Sequence, residues 1–192
     1  MNFFFKIIFM ILSKKRLIWW FIFVLFILLI PLIAMRFTNE VNWKLSDFII
    51  MGALLFGIAI SYELIAQKSN KKTCRIAFGL GLLGAFLLFW VNAAVGIIAN
   101  ESQDANLLYG AVFAVGLVGA FISRFKAKGM SITLYVAALA QMLVPTIALI
   151  IWPPSTNSWT PSVIGVFLLS GFFALLFFVS GMLFRRAASN YQ

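Results

Sequence analysis

Six stretches of the chain stay apolar for about 20 residues at a time, and short polar breaks separate them. They run roughly from Leu17 to Met35, Asp47 to Ala66, Cys74 to Ala99, Ala105 to Phe125, Ser131 to Trp152 and Pro161 to Phe184. A helix rising ~1.5 Å per residue needs about 20 apolar residues to cross bilayer hydrocarbon, so each stretch predicts one spanning helix. The third is long enough to tilt, or to stand out of the membrane at one end. Alternation of period two is missing, which argues against a β-barrel. The expected fold is all-α: a polytopic bundle of six transmembrane helices with short loops, consecutive helices being antiparallel neighbours. In this reading residues 1–16 are a cytoplasmic N-terminal segment, 17–184 a single transmembrane domain and 185–192 a cytoplasmic tail.

The opening MNFFFKIIFMIL is apolar but too short to span, and Lys6 interrupts it. Two readings stay open for it: an interfacial helix on the membrane surface, or a frayed hydrophobic tail. A cleaved signal peptide is not expected, because PLIAMRF after the first long run lacks a small-residue cleavage site.

The polar breaks differ in charge. The N-terminus, the Lys68–Arg75 region, the Arg124–Lys128 loop and the C-terminus hold thirteen of the 15 lysines and arginines. The alternate breaks hold only Arg36 and Lys44, and neither the Asn100–Asp104 hairpin nor the Pro153–Ser162 loop has any. The positive-inside rule places the thirteen in the cytoplasm, together with both termini. Trp19 and Trp20 then fall at the inner interface and Trp43, Trp152 and Trp159 at the outer one, as aromatic belts require. Trp90 falls within a span, where packing is its expected role.

Composition narrows the function. The chain is 64% hydrophobic and 10% charged, against about 25% charged for a soluble domain. No single core of this size hides that excess, so the surface is apolar too and the main partner is the lipid bilayer. With no histidine and one cysteine, Cys74, neither an internal disulfide nor a metal cluster is expected, and no cofactor. The net charge of +10 invites a nucleic-acid reading. That reading requires basic residues gathered on one soluble face, whereas these fall in short bursts.

Three polar residues within the spans are candidates for an intramembrane site: Glu63, Asn92 and Gln141. Ionisable groups inside membranes mark function by default. Glu63 nevertheless lies close enough to the interface to anchor its helix by pairing with Lys68, Lys71, Lys72 or Arg75. Asn92 shares a face with Gly81, Ala85 and Gly96, and Gln141 with Ala137, Pro145 and Ala148. Small faces and amides are glue between helices, so both side chains should point inward. Pro145 predicts a kink. Gly79–Gly84 matches GxGxxG, but without a preceding strand it reads as helix packing.

A second candidate site lies on the outer face: Glu40, Asn42, Trp43, Asp47, Glu101, Asp104 and Asn106. Asp47 and Asp104 open apolar runs, where an acid caps free N–H groups and favours the helix dipole. The others, gathered with Arg36 and Lys44 around a vestibule, would suit a cation or a polar headgroup.

NEVNWKLSDF, SYEL, FWVNAAVGIIANESQDANLLYG and RFKAKGM resemble a family of small multi-pass bacterial membrane proteins of unassigned function, over about residues 36–148. The resemblance implies a bacterial cytoplasmic (inner) membrane location and a fold of these helices. It carries over no activity, substrate or catalytic residue.

No serine–base pairing, histidine or metal-ligand spacing supports catalysis. The expected function is a non-enzymatic membrane component: an assembly, accessory or envelope-maintenance protein, as a homo-oligomer or within a larger complex. The alternative is a small transporter or channel for a polar solute or ion, motivated by Glu63, Asn92, Gln141, Pro145 and the outer acids. A third reading, anionic lipid held at the inner basic rim, competes with topology alone as the reason for that rim.

Overall fold

The computed structural model describes residues 14–38, 42–68, 71–100, 102–154 and 159–189. The N-terminal segment 1–12, Glu40 and Glu101 lie outside the described residues. The described chain is helical, without strands: α1 (Lys14–Phe37), α2 (Leu45–Lys68), α3 (Lys72–Ala94), a 3-10 segment (Asp104–Tyr109), α4 (Gly110–Ser123), α5 (Ala127–Ile151) and α6 (Val163–Ser189). Six helical segments, the 3-10 turn and α4 counting as one, are long and apolar enough to cross a membrane. Their flanks carry exposed large apolar side chains such as Phe26, Ile49, Leu117, Leu139 and Leu168. Water would not tolerate such an apolar surface, whereas hydrocarbon solvates it. The chain is a multi-pass membrane protein.

The expected third span requires correction at its C-terminal end. Helix α3 stops at Ala94, and Gly96 takes a positive φ of 71°. Residues 95–99 are apolar enough to continue a helix, but they leave it because the Ile97 and Ile98 N–H groups bond elsewhere. The extra length thus forms a loop and does not lengthen the helix. Helix α5, by contrast, continues through Pro145 to Ile151.

The helices fall into two compact units, Met1–Lys68 and Ser69–Gln192. The first unit is the α1–α2 pair. Trp20 packs edge-on against Tyr62, with ring centroids 6.0 Å apart. A Cβ on Gly52 would lie 3.3 Å from Leu28. The two contacts run in opposite directions along the two helices, so the pair is antiparallel. Asp47, three residues after the N-cap Lys44, accepts the Lys44 backbone N–H at 2.7 Å. This is the backward half of a capping box, and it starts α2 where it does.

In the second unit α5 packs against α4 and α6, and α6 also packs against α3. Helix α3 therefore has α6 as its main partner, not the α4 that follows it in sequence. The expectation of neighbouring consecutive helices fails at this point for a local reason. Gly81 and Gly84 open the face of α3, and added Cβ atoms there would lie 3.1 Å from Ser180 Oγ and 3.2 Å from Leu176 and Phe177. The glycine repeat is thus a close-approach surface for α6. Ser180 exploits the approach and donates to the Ala77 carbonyl at 2.6 Å. At the α4–α5 contact Gly119 lies so close to Thr133 that a Cβ would sit 2.4 Å away. Without a hydrophobic force between helices in lipid, such backbone proximity and interhelical hydrogen bonds supply the association.

Candidate functional site

The three intramembrane candidates divide between the units. Glu63 belongs to α1–α2, where it is buried, 6% exposed. Arg16 of α1 forms a salt bridge with its Oε1, and the Trp20 indole N–H donates to its Oε2 at 3.3 Å. The carboxylate is therefore compensated within its own unit, as a buried charge must be. Reading the sequence for Glu63 considered cations following it in the chain and did not foresee Arg16, which stands 47 residues before it.

Asn92 and Gln141 belong to the second unit. Asn92 donates to the Asn106 carbonyl at 3.3 Å, while its own Oδ1 is buried without a partner. Gln141 is fully buried, and neither its oxygen nor its nitrogen has a hydrogen-bond partner. Both amides point inward. An amide enclosed with no partner is costly, roughly 1–3 kcal/mol by mutational measures. Gln141 also lies at a polar level of the unit. A Cβ added at Gly181 would lie 3.2 Å from the Ser131 carbonyl, and Tyr135 faces Phe178, with centroids 5.3 Å apart. This antiparallel register carries Gln141 to the level of Ser170 and Gly171. There Ser170 Oγ and Tyr109 Oη share a hydrogen bond of 2.8 Å, both side chains fully buried. Reading the sequence missed Tyr109, Ser170 and Ser180. The Ser-Gly pairs at 170–171 and 180–181 were the available signal.

Of the outer-face candidates, Asp47, Trp43 and Asn106 fill structural positions. Asp47 spends its carboxylate on Lys44 N and the Ser46 hydroxyl. Trp43 stacks edge-on with Phe48. Asn42 is exposed, and so is Asp104, which opens the 3-10 segment. The cap of that segment, Gln103, makes no side-chain capping bond. Asn106 is the most engaged. Its Oδ1 accepts from Ile97 N at 3.0 Å and Ile98 N at 2.9 Å, and its Nδ2 donates to the carbonyls of Ile98 at 3.0 Å and Asn100 at 2.6 Å. Both acceptor sites and both donors of the amide are filled by backbone, so it ties the 95–100 loop and has nothing left for a solute. Trp159, expected in the outer belt, is buried and donates to the Trp152 carbonyl at 2.9 Å. Among the described residues no three carboxylates or thiols gather as a metal-binding group.

The second unit also carries an open groove of about 630 Å³ between α5 and α6. Tyr135, Ala138, Leu139 and Met142 form one wall. Gly171, Ala174, Leu175 and Phe178 form the other, and Arg185 stands at one end. Both walls follow the i, i+3, i+4, i+7 spacing of a helix face. Ala138, Gly171 and Ala174 give the groove its depth, and the exposed Leu139 and Leu175 raise its rims. Gln141 does not line it.

No protein family, curated protein or solved structure matches the chain.

Proposed function

We propose that the protein is a non-enzymatic component of a bacterial cytoplasmic membrane, an assembly, accessory or envelope-maintenance protein that works by contact within the bilayer. The observation that carries this reading is the apolar lining of the groove, which none of the intramembrane polar candidates joins. Glu63 is paired with Arg16, and the groove is lined by apolar side chains apart from Tyr135 and the terminal Arg185, with neither Asn92 nor Gln141 among them. A solute path needs polar side chains converging on an accessible cavity. The proposed orientation puts both termini and the thirteen clustered cations in the cytoplasm. The family resemblance over residues 36–148 is part of the same proposal and agrees with the location.

A small transporter or channel is the second reading, and the unpartnered amide of Gln141 favours it. Vesicles carrying the purified full chain decide between the two. Assayed for proton, potassium and sodium flux, they should leak no faster than empty vesicles. Flux that Gln141→Leu abolishes would replace the first reading by the second. Single-cysteine labelling at positions 103 and 126 in a Cys74→Ala background tests orientation. Reaction of both from the same side would refute it.

A further inference from the structure

We infer that the α5–α6 groove holds one acyl chain of an anionic glycerophospholipid, with the lipid phosphate on Arg185. The groove is a stripe of one helix face ending in a cation. Gly171, Ala174 and Phe178 lead along α6 to Arg185, which is exposed. Fourteen residues separate Gly171 from Arg185, about 21 Å of helix. One leaflet with its headgroup region is half of ~40–45 Å, so the stripe matches a lipid that stands in a single leaflet. The end away from Arg185, at Met142 and Gly171, is apolar and suits the methylene chain.

Charge at the Arg185 end selects the headgroup. The register that faces Ser131 with Gly181 brings residue 127 to the level of Arg185. Lys126 and Lys128 are exposed at this end, and Arg186 follows on α6. None of the five acidic residues of the chain lies on α5 or α6. A phosphate there meets several cations and no carboxylate from these helices, and each nearby basic residue favours an anionic headgroup. A neutral zwitterionic lipid gains less, because its ammonium meets the same cations.

The inference requires membrane residence alone and holds whether or not a solute crosses, so the flux assay and the following test fail independently. The full chain is reconstituted in vesicles containing phosphatidylglycerol or phosphatidylcholine with a photoactivatable acyl chain, and the labelled peptides are mapped. Phosphatidylglycerol should label α5 and α6 along the groove in preference to phosphatidylcholine. Gly171→Leu places a side chain in open space, since a Cβ there meets nothing within 4 Å. It should cut groove labelling about tenfold, the loss expected from displacing a few buried methylenes. Arg185→Gln, at an exposed position that packing does not constrain, should cut the preference for phosphatidylglycerol about fivefold. Equal labelling by the two lipids, or Gly171→Leu labelling like the parent, overturns the proposal. So does efficient disulfide formation between copies of Leu175→Cys in a Cys74→Ala background, which would assign the groove to a second copy of the chain.

Discussion

Replacing Asn106 by alanine should remove more stability than any other single polar truncation in the second unit. The side chain is 4% exposed and makes four hydrogen bonds, all to backbone of residues 97–100. Each bond is worth about 1 kcal/mol net, and a stranded buried N–H costs about 1–3 kcal/mol. Ile97 and Ile98 are fully buried, so water entering the vacated space reaches their N–H groups poorly. The expected loss is about 3–5 kcal/mol. For a chain of this size that lowers the unfolding midpoint by about 10 °C. Tryptophan fluorescence of the purified protein during heating in mild detergent measures it. Asn106→Asp sharpens the test: it keeps the acceptor for Ile97 and Ile98 but turns an anion toward the carbonyls of Ile98 and Asn100. It should recover none or only part of the loss. An Asn106→Ala protein within about 1 kcal/mol of the parent would refute the view that one amide holds this loop.

Other substitutions test other contacts. Gln141→Leu should raise stability by about 1–3 kcal/mol in chemical denaturation, because it removes two buried groups without partners; a loss instead would show that the amide is satisfied in the membrane. Glu63→Gln should stay folded and inserted, since its one carbonyl oxygen still accepts from Arg16 or from Trp20 and the Arg16 side chain reaches solvent, at a cost of about 1–3 kcal/mol; loss of the variant from the membrane fraction would contradict this. Gly119→Ala should destabilise by about 1–3 kcal/mol, because its methyl must displace Thr133. Gly116→Ala, which meets nothing within 4 Å, should gain up to about 1 kcal/mol from helix propensity. Equal midpoints for these two alanines would sink the close-approach argument.

The spans were legible because hydrocarbon leaves a chain few choices: about 20 apolar residues per crossing, with every backbone group paired along the helix. The inward direction of Asn92 and Gln141 was legible from their small-residue faces, and Asp47 from its place at a helix start. The end of α3 was not legible. Val95–Ala99 carries no polar residue, and what ends the helix is an asparagine several residues farther on, which apolar counting cannot see. Gly96 was the one local hint. The partner of α3 was hidden for a similar reason. Periodicity marked Gly81 and Gly84 as a contact face but says nothing about which helix meets it. Glu63 illustrates the same limit, since Arg16, which pairs with it, stands 47 residues away, beyond the reach of sequence proximity. The buried Tyr109–Ser170 pair joins residues 61 apart, a separation that no spacing rule reaches.

The preference of α3 for α6 sets an order of events during synthesis. The chain enters the bilayer from its N-terminus, so α1 and α2 have each other as soon as both are made. Helix α3 must then wait while α4 and α5 are translated, its glycine face without the α6 helix that packs on it. A ribosome that stalls between Ser123 and Val163 would leave that face exposed and offer quality-control proteases a bare, small-residue helix to recognise.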